Sequence, residues 1–386
     1  MQSANGQQHP SIRARDLGIA LDGITGANNA LTDIADVSVG YTTLRDPDTG
    51  VFTGVTAILP RARADIGLPC AAGTFSLNGN GEMTGRAWIN EAGQFSTPIL
   101  LTNSHAVGAC HSGVARWLHR HYPHLSEQWL LPVVAETWDG YLNRINEPAI
   151  QPEHARMALD TAAAGPVAEG SVGGGTGMTC YAYKGGCGTA SRVFEACGGT
   201  YTLAAFMQAN FGRRSELNIT GVPVGRLSKA PNPMETEHWL APLDGSPHGS
   251  RSGAGSVIVV IATDAPLLPR QLEAVARRVP LGLARTGTTG SHFSGDIFLA
   301  FSTANKGALQ SILPARSSMS GTSFLDFIPW GHVDPVYEAT VQCVEEAVLN
   351  ALVNNADMTG RDGHYIPALP ASEARRLMSG YVYPRS

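Results

Sequence analysis

The sequence predicts an α/β protein built in layers, with helices outside and more strands inside than one sheet would hold. Three observations carry that expectation. Short β-branched or apolar runs alternate with segments of helical spacing and no internal repeat. The helical segments show one apolar stripe that needs a sheet to cover it, and 44 glycines supply tight connections. With 43% hydrophobic and 15% charged residues, the 386-residue chain can bury a large core.

In chain order, 37–43, 54–59, 97–102, 130–137 and 201–209 read as strands, each bounded by Gly, Pro, Asn or Asp. Residues 178–183 and 189–194 read as a hairpin around Lys184-Gly-Gly-Cys-Gly188. Between them, 105–120 carries Val107, Cys110, Val114, Trp117 and Leu118 at helical spacing, and 267–279 does the same with Leu268, Leu272, Val275 and Val279. The last long helix starts with Asp334 as N-cap and Pro335 in the first turn. Val341, Val344, Val348 and Leu352 lie on one stripe of it.

Several function classes are excluded. The net charge is −5 and no long basic cluster exists, so the electrostatic footprint of a nucleic-acid binder is missing. No apolar run reaches membrane-spanning length, and the first 22 residues lack a signal-peptide core. The expected location is cytoplasmic, or periplasmic if a leader has been removed. The six cysteines form no C-x-x-C or zinc spacing and read as buried thiols, and His119, His121 and His124 fit no metal pattern. The glycine-rich run 169–177 lacks the Gly-Lys-Ser/Thr ending of a phosphate loop, so close backbone approach to another segment is its expected use.

The junction Gly255-Ser256 is the sharpest functional signal. A run from Arg226 to Gly255, with Pro231, Pro233, Pro242 and Pro247 and little periodicity, reads as a flexible loop. It ends abruptly against Ser256-Val-Ile-Val-Val-Ile-Ala-Thr263, an apolar strand. A chain cut there would give Ser256 a free α-amine beside its own hydroxyl, so that nucleophile and base share one residue. The reference pKa of such an amine is about 7.7–8.0, and partial burial lowers it toward neutral pH. Gly255 is expected to supply an unusual backbone geometry for the attack at low steric cost. The same dipeptide at 245–246 and 249–250 abuts no strand, and a plain interdomain linker is the competing reading.

Four further positions could serve such a nucleophile. In an extended strand the hydroxyl of Ser294 and the carboxylate of Asp296 would point to one face and could orient an amine and a hydroxyl. Glu136 ends the run Leu130-Leu-Pro-Val-Val-Ala-Glu136, where a buried carboxylate needs a cation, either an Arg or Lys of the protein or a substrate ammonium. Asn210 ends the strand 201–209 and could cap a turn or donate to an oxyanion.

Pro166-Val-Ala-Glu-Gly170, Val172-Gly-Gly-Gly-Thr-Gly-Met178, Leu131-Pro-Val-Val-Ala-Glu136, Gln208-Ala-Asn210, Gly255-Ser256, Ile261-Ala-Thr-Asp-Ala-Pro266 and Ser294-Gly295 together resemble one family. It is that of the L-aminopeptidase D-Ala-esterase/amidases and β-peptidyl aminopeptidases; Arg13-Ala-Arg-Asp-Leu-Gly18 and Asn29-Ala-Leu-Thr-Asp33 match it too. The resemblance implies a four-layer α-β-β-α sandwich, like the N-terminal nucleophile hydrolases in layering but with different connectivity. It implies one catalytic domain, self-cleaved into 1–255 and 256–386, usually in a homotetramer, with no metal or cofactor. The substrate it implies is a short peptide, amide or ester with a free amine. Carried onto this chain, Ser256 is the nucleophile, Ser294 and Asp296 assist it, Asn210 helps form the oxyanion hole and Glu136 holds the ammonium. The family carries Glu where this chain has Asp296.

Within that class the choice between α- and β-peptide substrates is open. Acyl transfer to an amine, as in the ornithine acetyltransferases, is a second reaction class, although those enzymes use Thr. An uncut binding protein is the non-enzymatic reading.

Overall fold

A computed structural model describes residues 12–237, 239, 255–310 and 321–381. Its first half contains strands β1 (Ser38–Asp46), β2 (Val51–Leu59), β3 (Cys70–Gly79), β4 (Gln94–Phe95), β5 (Ile99–Asn103) and β6 (Val133–Thr137). Helices α1 (Arg86–Ala92), α2 (Val107–His121) and α3 (Pro152–Asp160) lie among them. Next come β7 (Thr179–Cys180), β8 (Tyr183–Lys184), β9 (Gly186–Ala196) and β10 (Gly199–Asn210), then the short helices α4 (Val224–Leu227) and α5 (Pro233–Thr236). The part after the proposed cut holds β11 (Ser256–Thr263), α6 (Pro269–Ala276), α7 (Val279–Arg285), β12 (Gly295–Ser302) and α8 (Asp334–Val353). The pair β13 (Met358–Thr359) and β14 (Tyr365–Ile366) and helix α9 (Ala371–Gly380) close the described chain.

Two main sheets form, one of order β1-β2-β5-β6 and one of order β4-β3-β12-β11-β10-β9. Period-two alternation gives each strand two faces, and both faces are covered, which is why these strands read as nearly continuous apolar runs. Ile58, Ile99, Leu101 and Val133 meet Phe206, Ile258, Val260, Leu299 and Phe301 in the core between the sheets. The opposite faces pack outward: Val55, Ala57, Leu100 and Val134 against Val114, Trp117 and Leu159, and Val257, Val259, Ile261 and Phe298 against Leu272, Val275, Val344 and Val348. The layers are therefore α2/α3, sheet, sheet and α6/α7/α8, the four-layer sandwich expected.

Some local expectations are corrected. The segment 189–194 belongs to β9, which pairs along its length with β10, while β7 pairs only with β8. The connection Cys197-Gly198 has φ of 50° and 78°, a two-residue turn with both residues left-handed, whose twist suits a long hairpin. The helix expected over 267–279 ends at Ala276, and a second begins at Val279 with Pro280 in its first turn. Helix α8 is buried almost all round because it is covered by β9 and β10 on one side and α7 on another. The loop 226–255 contains helical turns at its start. Residues 238 and 240–254, with the dipeptides 245–246 and 249–250, lie outside the described residues.

The glycine-rich run threads between the sheets. A Cβ on Gly174 would collide with the Gln208 side chain, and one on Gly175 would stand 2.5 Å from Cys187 N. Close approach is thus its use. The fully buried Lys184 ammonium donates to the carbonyls of Met178 and Gly185, both at 2.7 Å, and fixes the exit of this run. The N-terminal motifs form a clasp: Arg15 and Arg192 both pair with the buried Glu346, and Asn29 donates to the same carboxylate.

Candidate active site

Ser256 opens β11 at the end of the six-stranded sheet, in register with Asn210 on β10 and with Gly295 on β12. Its parity with Ile258 and Val260 turns the hydroxyl toward the four-stranded sheet. There the main-chain N–H of Trp138, just beyond β6, donates to Ser256 Oγ at 3.0 Å. The carbonyl of the same Trp138 accepts Asn210 Nδ2 at 2.7 Å, and Asn210 Oδ1 accepts the N–H of Thr179 at 2.9 Å. These bonds settle the orientation of the amide. Its oxygen is held by the main chain of 179 and its NH₂ by the carbonyl of Trp138, so the side chain bridges two main-chain segments beside Ser256.

Glu136 is 5% exposed and stands next to last in β6. One carboxylate oxygen accepts the N–H of Glu82 at 2.9 Å and the other accepts the hydroxyl of Ser104. Among the described residues no Arg, Lys or His pairs with it, so the expectation of a cation from the protein itself is not met. Burial pushes its carboxyl above the ordinary value, although the two hydrogen bonds oppose that rise. A buried carboxylate held by two donors and no cation is a place where a cationic ligand gains a strong partner.

Gly255, Ser256, Asn210, Glu136, Ser104, Trp138 and Thr179 line a single cavity of about 330 Å³, with Asn80, Glu82, Met234, Trp239 and Phe293 around them. A larger apolar cavity of about 720 Å³, bordered by Trp88, Trp129 and Leu131, contains none of the candidate residues. Size alone does not locate the chemistry here, because the convergent polar groups lie in the smaller space.

Gly255 meets a packing constraint that the sequence reading did not include. Its φ is not left-handed, but a Cβ there would collide with the carbonyl oxygen of Asn210 and stand 2.9 Å from Phe211 Cα. The strand end is pressed against β10. The Gly255 carbonyl oxygen, on the peptide bond to Ser256, accepts the N–H of Gly295 at 3.1 Å.

Ser294 and Asp296 are joined directly, the hydroxyl donating to Asp296 Oδ1 at 2.6 Å, and Asn78 donates to Oδ2 at 2.9 Å. Neither lines the cavity. Asp296 shares the parity of Phe298 and Ala300 on the helix-facing side of the sheet, whereas Ser256 faces the other sheet. By strand parity the Asp296 side chain lies on the opposite face of the sheet from that of Ser256, beside the strand end at 256. Burial raises the Asp296 carboxyl above its usual range, opposed by its hydrogen bonds to Ser294 and Asn78.

Sequence reasoning missed Trp138, Ser104, Thr179 and Asn78. Trp138 acts through its main chain, which carries no side-chain signature, although its position two residues beyond Glu136 was a usable hint. The others are ordinary polar residues that become informative only through long-range neighbours.

A model of peptidase family S58 matches residues 29–366. The chain belongs to peptidase family S58. Among curated relatives of this S58 chain, the β-peptidyl aminopeptidase BapA of Sphingosinicella microcystinivorans is 44% identical over 377 residues, covering 96% of this chain and 92% of the relative. BapA of Sphingosinicella xenopeptidilytica is 39% identical, covering 97% and 92%. Among solved structures, the L-aminopeptidase D-Ala-esterase/amidase of Ochrobactrum anthropi, described as a variant of the Ntn hydrolase fold, superposes with a TM-score of 0.86 at 41% identity. It covers 96% of this chain and 98% of its own. A Burkholderia sp. β-aminopeptidase gives 0.86 at 40%, covering 96% and 100%. The S58 chain is accordingly a hydrolase of the aminopeptidase class with an Ntn-like layering.

Proposed function

We propose that this S58 chain cuts itself between Gly255 and Ser256 and that the freed Ser256 removes N-terminal residues from short peptides, amides or esters through an acyl-enzyme. The observation that carries this reading is the convergence of Ser256 Oγ, the Asn210 amide and the cation-free Glu136 carboxylate on one cavity. In self-cleavage, Ser256 Oγ attacks the Gly255 carbonyl carbon, its proton passes to the Ser256 nitrogen as the C–N bond breaks, and the ester formed on Oγ is hydrolysed by water to give the Gly255 carboxylate and the free hydroxyl. Gly295 N–H is in place for the developing oxyanion.

In turnover the new α-amine takes the hydroxyl proton as Oγ attacks the acyl carbon of the substrate. The substrate ammonium pairs with Glu136, and the Asn210 NH₂ faces the oxyanion. The Ser294–Asp296 pair supports the amine from behind the strand, which suits its position better than contact with the hydroxyl. The proton then passes from the Ser256 amine to the leaving amine, and water completes the cycle.

Two relatives named as β-peptidyl aminopeptidases favour a second reading of the substrate, an N-terminal residue one methylene longer. Matched α-alanyl and β-homoalanyl anilides separate the two. Ser256→Ala is expected to give a single uncut band on a denaturing gel and no turnover of either anilide. Persistent cleavage with a new N-terminus elsewhere would remove Ser256 from its role. A homotetramer and the cytoplasm remain the proposed assembly and location.

A further inference from the structure

The cavity before Ser256 has two chemically different parts. Glu136 and its hydrogen-bond partners Ser104 and Glu82 form a polar part of the lining, and Trp138, Met234 and Trp239, packed in one cluster, form an apolar part. Trp239 comes from the segment that precedes the proposed cut, yet it is anchored from several directions. Its ring meets Tyr141 edge-on at 4.9 Å between centroids and lies 6.0 Å from Trp138 and 6.2 Å from His364, while its Nε1 donates to the Met234 carbonyl at 2.8 Å.

Its supports are themselves fixed. His364, on the turn between β13 and β14, stacks on Tyr141 at 5.1 Å and 15° and bonds the Tyr141 carbonyl through Nδ1 at 2.7 Å. Tyr141 packs with the fully buried Leu142 and Ile366 in a small apolar cluster that also includes Trp138, Met234 and Trp239. The wall is therefore built on packed elements of both parts of the chain. Phe293, 68% exposed, stands at the rim of the same cavity and contributes little enclosure.

A substrate with its ammonium on Glu136 and its acyl carbon at Ser256 Oγ has those two ends fixed. Its side chain branches from the carbon or carbons between them. The polar part is taken by the ammonium and its partners, so the enclosed space left is the aromatic one. We propose that Trp239, with Met234 and Trp138, receives the side chain of the substrate's first residue and selects apolar and aromatic side chains over small ones. The assignment rests on the function proposed above and adds the side-chain class to it. Its physical basis is ordinary: an indole face removes an apolar side chain from water, and each such contact discriminates by roughly tenfold or more.

The test uses Trp239→Ala and Trp239→Phe in the full-length protein, with phenylalanyl and alanyl p-nitroanilides in matched α and β forms. Completed self-cleavage and the melting temperature report on folding. In Trp239→Ala, kcat/KM for the phenylalanyl anilide should fall at least tenfold more than for the alanyl one, mainly through KM, and Trp239→Phe should restore most of the difference. Equal losses for both would place the indole on the ammonium or on the fold and overturn the proposal. So would unchanged discrimination, since the side chain would then lie elsewhere. If the unaltered protein turns over neither anilide, the proposed function itself fails, a result distinct from lost selectivity.

Discussion

Trp138 holds the Ser256 hydroxyl oxygen through its main-chain N–H at 3.0 Å, and the two residues stand at the ends of strands in different sheets. The site therefore depends on how the two sheets pack, not on either alone. Asn210 ties the same junction from the six-stranded sheet through the Trp138 carbonyl. A small shift between the layers would carry Ser256 and Asn210 together away from Trp138.

Gly255→Ala should slow self-cleavage at least tenfold. The added methyl meets main-chain atoms of Asn210 and Phe211, which cannot rotate away as a side chain could. A gel time course after pulsed synthesis reads the rate, and cutting at the parent rate would show that close approach is not what constrains this position.

Glu136→Gln keeps the shape and removes the charge, so kcat/KM on free-amine substrates should fall by about 100-fold or more, the scale of a lost buried charge-assisted contact. Self-cleavage should persist. Only ionised Glu136 pairs with an ammonium, and burial raises its pKa, so the acid limb of the parent's kcat/KM profile should lie above the ordinary Glu value of 4.5. A limb at or below that value, or one unchanged in the variant, would assign it to another group.

Asp296 is 3% exposed with both oxygens engaged, so the Glu that the family resemblance expects would not fit as it stands. Asp296→Glu should lower stability by about 1–3 kcal/mol, the usual cost of an extra methylene in a filled place, without raising the rate. Asp296→Asn should cut kcat tenfold or more while leaving the melting temperature within a few degrees. Thermal melts and single-turnover kinetics check both; a faster Asp296→Glu enzyme would mean the shorter side chain is a defect that the neighbours do not fill.

Asp139, one residue beyond Trp138, is 1% exposed, and burial raises its carboxyl from 3.8 to about 7, against the hydrogen bond donated by Asn143. Between those values the unfolded chain is ionised while the folded one keeps its proton. Its stabilising contribution is thus full below pH 3.8 and is lost as pH rises through about 7. Asp139→Asn, which mimics the neutral acid, should flatten the fall in melting temperature between pH 4 and pH 7. An identical slope in parent and variant would show that Asp139 is already ionised in the fold.

Much of this was legible in the chain itself. β11 and the start of α8 follow from a continuous apolar run and from Asp334-Pro335, both local signals, although Val333 takes the N-cap position expected of Asp334, which is the first helical residue. Glu136 and Asn210 stood out because a carboxylate or amide at the end of an apolar strand needs a partner. The partners did not stand out. Trp138 contributes main-chain groups, Ser104 and Asn78 are polar residues without a pattern, and the opposite faces of Ser256 and Asp296 follow from a strand register set by long-range pairing. The hairpin at β9 and β10 was misplaced because the left-handed turn at Cys197-Gly198 looks less like a turn than Gly185-Gly186 does.

The sheet order β4-β3-β12-β11-β10-β9 has a consequence for a chain cut before β11. The two strands that the downstream piece gives to this sheet, β11 and β12, lie side by side, flanked on both edges by strands of the upstream piece. Separating the pieces would break two full ladders, strip β11 and β12 of the opposing sheet and strip β9 and β10 of α8, so a cut there would create a new chain end without creating a new subunit. The downstream piece made alone would have two unpaired edges and no opposing sheet. Active enzyme is expected from two separately produced pieces only when they fold in each other's presence.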